Sequence, residues 1–224
     1  MKLSIQHLFL APLMVVMATS ANAAESADMA VKGTIRPAAC NLALSNDGVI
    51  DFHNIFGTSL AQSAPTKLAQ KEVTMTVDCE AETYVAVTLV DNRAGTVPSD
   101  VLKPATGIDD RLGFGLGEVN GKAVGAYAFR TFGSDSFVSN LGKGVSLSRS
   151  DDGGASWMAV ANDNYLIGNV LYTWAGTPGA SPIRVKTVTQ RIDVFTALAS
   201  KDALPDLTDS VTLDGSTTIS LVYL

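Results

Sequence analysis

The stretch Glu72-Val-Thr-Met-Thr-Val-Asp-Cys79 decides the fold class. Val73, Met75, Val77 and Cys79 alternate with Glu72, Thr74, Thr76 and Asp78, so in an extended chain every apolar side chain falls on one face and every polar one on the other. This is a strand with one buried face, ending on a cysteine. After the break Glu80-Ala81-Glu82 the pattern resumes from Tyr84 to Val90 and stops at the polar loop Asp91-Asn-Arg-Ala-Gly95. The two runs are expected to pair as a hairpin. Further strands are expected at Leu112 to Leu116, Val124 to Phe132, Val145 to Ser148, Tyr165 to Tyr172 and Ile183 to Thr196. Turn signals separate them at Asn120-Gly121, Asp152-Gly153 and Gly176-Thr-Pro-Gly179. Helical periodicity is nearly absent, and only Ser59 to Gln70 and Ala197 to Ala203 leave room for a short helix or irregular crossover. Short strands punctuated in this way indicate an antiparallel β-sandwich.

The same period runs to the end of the chain. Val211, Leu213, Gly215, Thr217, Ile219, Leu221 and Tyr223 are apolar or small, and Ser210, Thr212, Asp214, Ser216, Thr218 and Ser220 alternate with them. Chain termini usually fray, so a terminal strand this regular is expected to have a partner. Val222 and Leu224 break the alternation by being apolar as well, which implies that the tip of the strand is touched from both sides.

The first 23 residues hold Lys2, an apolar run from about Leu8 to Ala18 interrupted by Pro12, and small residues before Ala24. They read as a secretory signal peptide, too short and too broken for a membrane span. The formal net charge is −6, and losing Lys2 with the leader makes the mature chain one unit more negative. An acidic chain poor in Lys and Arg is not built for nucleic acid. The remaining length of roughly two hundred residues suits one domain with a sizeable core. Both cysteines, Cys40 and Cys79, lie in the exported part, and an even count in an oxidising compartment argues for one disulfide. Their spacing and the shortage of histidine exclude CxxC redox chemistry and a zinc site.

Constellations for catalysis are sparse. His53 is the one histidine left after the leader, and no nucleophile elbow marks a serine for it; it is expected to be a turn residue. Gly113-Phe-Gly-Leu-Gly117 lacks the Lys-Ser/Thr and the helix start of a phosphate loop and reads as strand. Asp109-Asp110 and Asp151-Asp152 sit in turns, without the ligand spacing that calcium requires. No enzyme activity, no cofactor and no metal are therefore expected. Trp157 and Trp174 lie at loop ends, where aromatic rings either cap a sandwich core or form a ligand platform.

The first strand of the mature chain, Met29-Ala-Val-Lys-Gly-Thr-Ile-Arg-Pro-Ala-Ala-Cys40, resembles the start of pilin subunits assembled by the chaperone–usher pathway. Cys79 at a strand end and the penultimate Tyr223 look like landmarks of the same family. Gly48-Val-Ile-Asp-Phe, Phe114-Gly-Leu-Gly, Gly125-Ala-Tyr, Leu213-Asp-Gly and the terminal Tyr-Leu are similar to a β-fimbria-type branch largely classed as a domain of unknown function.

The resemblance implies an all-β, immunoglobulin-like antiparallel sandwich of pilin type, incomplete and completed by a donor strand from another chain. It implies a signal peptide over 1–23, an N-terminal donor extension over 24–32 and a pilin-like domain over 33–224. Ala27, Met29 and Val31 would face inward from the donor, with Met29 and Val31 as its sizeable inserts. Ile219, Leu221, Tyr223 and Leu224 would form the edge beside the groove, where a periplasmic chaperone docks first. Other implied partners are an outer-membrane usher and neighbouring pilin subunits. The setting would be the periplasm and then a fimbrium on the surface of a Gram-negative bacterium. Two alternatives stand beside this structural role: a minor or tip subunit binding a surface ligand through loops at Trp157 and Trp174, and a periplasmic protein of the same fold that does not polymerise.

Overall fold

The computed structural model describes residues 27–131, 136–138, 143–160 and 165–224; the expected signal segment and the first three residues of the extension lie outside them. The chain divides into two units, Met1–Arg36 and Pro37–Leu224. In the first, residues 27–36 carry neither helix nor strand, and Met29, Val31 and Ile35 are all more than 90% exposed.

The second unit is almost entirely β. Its principal strands are β1 (Cys40–Leu44), β2 (Lys71–Thr83), β3 (Val85–Asp91), β4 (Gly125–Arg130), β5 (Ser146–Ser150), β6 (Tyr165–Leu166), β7 (Leu171–Ala175), β8 (Val185–Leu198) and β9 (Thr217–Tyr223). One sheet runs β1-β2-β8-β4-β6; the other runs β5-β7-β3-β9, with Met158–Ala159 added outside β5. Neighbours pair antiparallel throughout. Val73, Met75 and Val77 of β2 and Ile192 and Val194 of β8 share one core with Val87 and Leu89 of β3 and Tyr172 and Trp174 of β7. The antiparallel β-sandwich is the expected fold.

The disulfide forms where the sequence places it. Cys40 and Cys79 are directly opposed in the β1–β2 ladder and bonded to each other, leaving no free cysteine among the described residues.

Several local expectations are corrected. Glu80–Glu82 is not a break, because β2 continues through it to Thr83. The expected hairpin does not form: β2 pairs with β1 and β8, whereas β3 pairs with β7 and β9 in the other sheet. Only Tyr84 separates the two strands, so the chain turns a corner between layers, and each strand turns its apolar face into the shared core. The run from Tyr165 to Tyr172 splits in the same way, into β6 in one sheet and β7 in the other, with Asn169 in the left-handed region at φ 64° between them. The stretch from 59 to 70 holds no helix beyond the end of a 3₁₀ turn at Gly57–Ser59 and a two-residue strand at Thr66–Lys67, while Ala197 and Leu198 belong to β8. The one α-helix among the described residues is Leu102–Thr106. Its start is held by the Asp110 carboxylate, which accepts the backbone N–H groups of Asp100, Val101 and Leu102 at 2.9, 3.2 and 2.7 Å. Finally, β9 begins at Thr217 and not at Ser210.

Candidate binding cleft

Both sheets end in an edge strand that flanks the same opening of the sandwich. Among the described residues β1 pairs in a ladder only with β2, and β9 only with β3. Between them the core is open to a cleft of about 1000 Å³. Its floor is the core itself: Val73, Phe129, Ile192, Val194 and Leu198 line it although each is less than 9% exposed. One wall is the segment after β1, where Val49 and Phe56 are 64% and 71% exposed. Leu207, Val211, Leu213 and Ile219 form the other wall. Apolar surface left open beside two free strand edges is a site for pairing with another strand, since it offers both backbone partners and pockets for alternate side chains.

The wall leading into β9 keeps the alternation read in the sequence without being a strand. Val211 and Leu213 do turn toward the cleft, but the backbone of 208–216 is held elsewhere. The Asp214 N–H donates to the Leu116 carbonyl at 3.0 Å, the Asn92 N–H to the Ser216 carbonyl at 2.9 Å, and the Arg93 guanidinium meets the Asp214 carboxylate at 2.7 Å. That ion pair pulls the Asp214 carboxyl below its usual range, first through the hydrogen bond and then through the charge. At Gly215 a Cβ would lie 2.9 Å from both Leu116 Cδ2 and Tyr127 Cε1, closer than side-chain carbons tolerate; glycine is what lets the segment pass.

Beyond the cleft-lining residues, Tyr223 joins the two edge strands directly. Its hydroxyl accepts the Cys40 N–H at 2.8 Å, joining the last residue of β9 to the first of β1 across the opening. Cys40 has its N–H free for this because β1 is an edge strand. The second contact of the strand tip, inferred from Val222 and Leu224, is also visible. Leu224 Cδ2, Trp157 Cζ2 and Leu171 Cδ1 converge to within 3.7–3.9 Å of where a Cβ on Gly154 would stand. Gly154 has φ +98°, which a side chain would oppose even without these neighbours. The turn carrying it is organised by Asp152, whose carboxylate accepts from the Ser150 hydroxyl at 2.6 Å and from the Ser156 N–H and hydroxyl at 2.9 and 2.5 Å. These bonds hold the Asp152 carboxyl well below the usual carboxylate range.

Of the residues singled out in the sequence, Ile219 lines the cleft, Leu221 is half-buried against the core, and Tyr223 and Leu224 are 52% and 45% exposed. Ala27, Met29 and Val31 are exposed. Trp174 takes the first of its two readings: it is fully buried, its Nε1–H donates to Gln190 Oε1 at 3.4 Å, and it is a core residue. Trp157 is half-buried. His53 is a turn residue with φ 54°; its N–H donates to Asp51 Oδ1 at 2.6 Å and its Nδ1 lies 2.9 Å from Asp51 Oδ2. Sequence reasoning missed the wall from Val49 to Phe56. Its signal was Gly48-Val-Ile-Asp-Phe, apolar residues following β1 with no partner strand of their own.

A family described as "Protein of unknown function (DUF1120)" matches residues 29–128, a span that includes β1, β2, β3 and most of β4. Protein GltF of Escherichia coli (strain K12) is 27% identical over 238 residues, covering 93% of each chain. Uncharacterized protein YhcF of the same strain is 26% identical over 229 residues, covering 92% of this chain and 94% of its own. No solved structure matches. The two relatives are similar to this chain along nearly its whole length.

Proposed function

We propose that this chain is a non-enzymatic structural subunit of a chaperone–usher fimbria, exported to the periplasm of a Gram-negative bacterium and polymerised by donation of a strand from one copy to the next. The observation that carries this reading is the cleft: a sandwich core lying open between two unpaired strand edges, β1 and β9. A donor with Met29 and Val31 on one face would bury two sizeable apolar side chains there, each stabilising by about 1.5–3 kcal/mol before ordering costs, while its backbone pairs with β9. A periplasmic chaperone would cover the same edge beforehand, and an outer-membrane usher would exchange the two.

The test is a graft. A copy of Glu25 to Lys32, attached after Leu224 through a flexible linker, can turn back along the free edge of β9 and should raise the melting temperature clearly. A mature chain that is already stable, monomeric and unchanged by the graft would mean that the fold is complete, and the polymerising role would fall. With Trp174 buried, the reading as a ligand-binding tip subunit loses one of its two aromatic residues.

A further inference from the structure

Trp157 is half-buried, yet it packs neither in the core nor along the cleft. What it meets is the end of the chain. Trp157 Cζ2, Leu224 Cδ2 and Leu171 Cδ1 lie 3.7, 3.8 and 3.9 Å from the point where a Cβ on Gly154 would stand. Leu171 opens β7 and Leu224 follows β9, and these strands are not neighbours, because β3 runs between them. The turn from Ser150 to Trp157 leaves the sheet at the end of β5 and so reaches past β7 and across β3 to the tip of β9. It does this on the face turned away from the core, since Tyr172 is fully buried and Leu171, one residue before it in the strand, points the other way.

The turn is held in shape by its own side chains. The Ser150 hydroxyl accepts the Gly154 N–H at 2.8 Å and donates to Asp152 Oδ1 at 2.6 Å, and Asp152 in turn accepts the Ser156 N–H at 2.9 Å. Trp157 is therefore carried on a segment already bonded to itself. The tip of β9 has much less to hold it. β9 has a ladder on one side only, and beyond it the Leu224 N–H donates to the Tyr84 carbonyl at 3.2 Å. Chain ends of this kind open locally at almost no cost in free energy. A strand that accepts another along its free edge has to stay extended to its end, because the incoming backbone pairs with an ordered one.

We propose, building on the strand-donation reading above, that the Ser150–Trp157 turn is a strap across the outer face of the sheet and that Trp157 is the positioning residue that keeps the tip of β9 extended for an incoming strand. The strap lies on the face opposite the cleft, so it braces the acceptor strand without taking up the space a donor needs. It also gives the apolar Leu224 a purpose. Its side chain serves the strap, as those of Ile219 and Leu221 serve the cleft and the core.

The experiment compares the full mature wild-type chain with Trp157→Ala, Trp157→Phe and Leu224→Ser, and with Asp110→Ala as a control. The control loosens the helix Leu102–Thr106, which packs against β8 in the other sheet. Hydrogen exchange of the fragment 217–224 is followed by mass spectrometry, and binding of a synthetic peptide of residues 24–36 by titration calorimetry. Trp157→Ala and Leu224→Ser should each speed exchange of the fragment by about fourfold, the worth of one buried methylene. They should weaken the peptide by about twofold, because part of the β9 population is then open at its tip. Trp157→Phe keeps a ring and should restore most of both effects, and Asp110→Ala should change neither. Leu224→Ser keeps the backbone bond to Tyr84 and serves if Trp157→Ala does not fold. Exchange at the wild-type rate in both variants overturns the strap. Faster exchange with undiminished peptide affinity overturns the positioning role. A wild-type chain that binds no peptide removes strand donation instead, and the strap is then decided by the exchange rates alone.

Discussion

Replacing Tyr223 by Phe removes one oxygen and leaves the rest of the side chain in place. The hydroxyl accepts the Cys40 N–H at 2.8 Å, and this bond is a direct tie between β9 and β1. The ring is 52% exposed, so its own burial changes little. The freed N–H sits on a half-buried edge residue that water can reach in part, which keeps the cost within the ordinary net value of a hydrogen bond, about 1 kcal/mol. For a chain of this size that is a fall of about 2–4 °C in melting temperature. In urea the midpoint should drop by about 0.4 M with the slope unchanged, taking a slope of about 2–3 kcal/mol per molar. Tyr84→Phe serves as a control, since Tyr84 lies on the surface with its ring under the Arg184 guanidinium at 5.2 Å, a contact that Phe keeps. An equilibrium urea series on the oxidised mature protein decides it. Wild-type and Tyr223→Phe midpoints that coincide would show that the two edges are not joined through this hydroxyl.

Removal of the disulfide by a Cys40→Ser, Cys79→Ser double substitution should cost about 4 kcal/mol on the chain-entropy model for a separation of 39 residues, seen as a large drop in the thermal midpoint that reduction of the wild type reproduces. Burial pushes the hydroxyls of Tyr127 and Tyr172 up to about 12. Both are neutral in folded and unfolded chains below about pH 10, and above that only the unfolded chain ionises them readily. Stability should therefore hold up to about pH 10 and be lost as the pH rises toward 12, with a tyrosinate absorbance step accompanying unfolding; a folded protein showing full ionisation of both at about pH 10.5 would contradict their burial. On the proposed strand donation, Met29→Asp or Val31→Asp should block the joining of subunits while sparing capture by a chaperone, because the carboxylate would enter a neighbour's apolar cleft. Normal polymer ladders from both variants would exclude this segment as the donor.

The sequence was most legible where burial is one-sided. Glu72 to Cys79 alternates because β2 turns one face to the core and the other to solvent, so period and structure coincide. Alternation cannot say which sheet a strand joins. β2 and β3 read alike, and the corner at Tyr84 that sends them to different sheets carries no glycine or proline to announce it. Ser210 to Ser216 shows the opposite case, in which side chains keep a strand's period for the cleft while their backbone is bonded to Leu116 and Asn92. The helix Leu102–Thr106 escaped notice because five residues containing Pro104 are too few to show a 3.6-residue period, and its cap comes from Asp110, beyond its own end. Thr196 lies in the cleft floor, 1% exposed and with its hydroxyl lacking a hydrogen-bond partner among the described residues, and nothing in the sequence marks it. A threonine in a strand is unremarkable until the register places its hydroxyl in an apolar floor.

The position of the disulfide has a mechanical consequence. β1 is a five-residue edge strand, and a pull on the chain ahead of it would ordinarily peel it from β2 one backbone bond at a time, starting where the Glu80 N–H donates to the Ala39 carbonyl at 2.9 Å. The Cys40–Cys79 bridge sits one residue further on, so tension arriving from the N-terminal side loads that single bond and then passes through a covalent link into β2 before it can reach the bonds from Asn41 to Leu44. β2 is flanked by β1 and β8, and tension along it must shear many backbone bonds together. The bridge thereby changes the response of the domain from unzipping to shear.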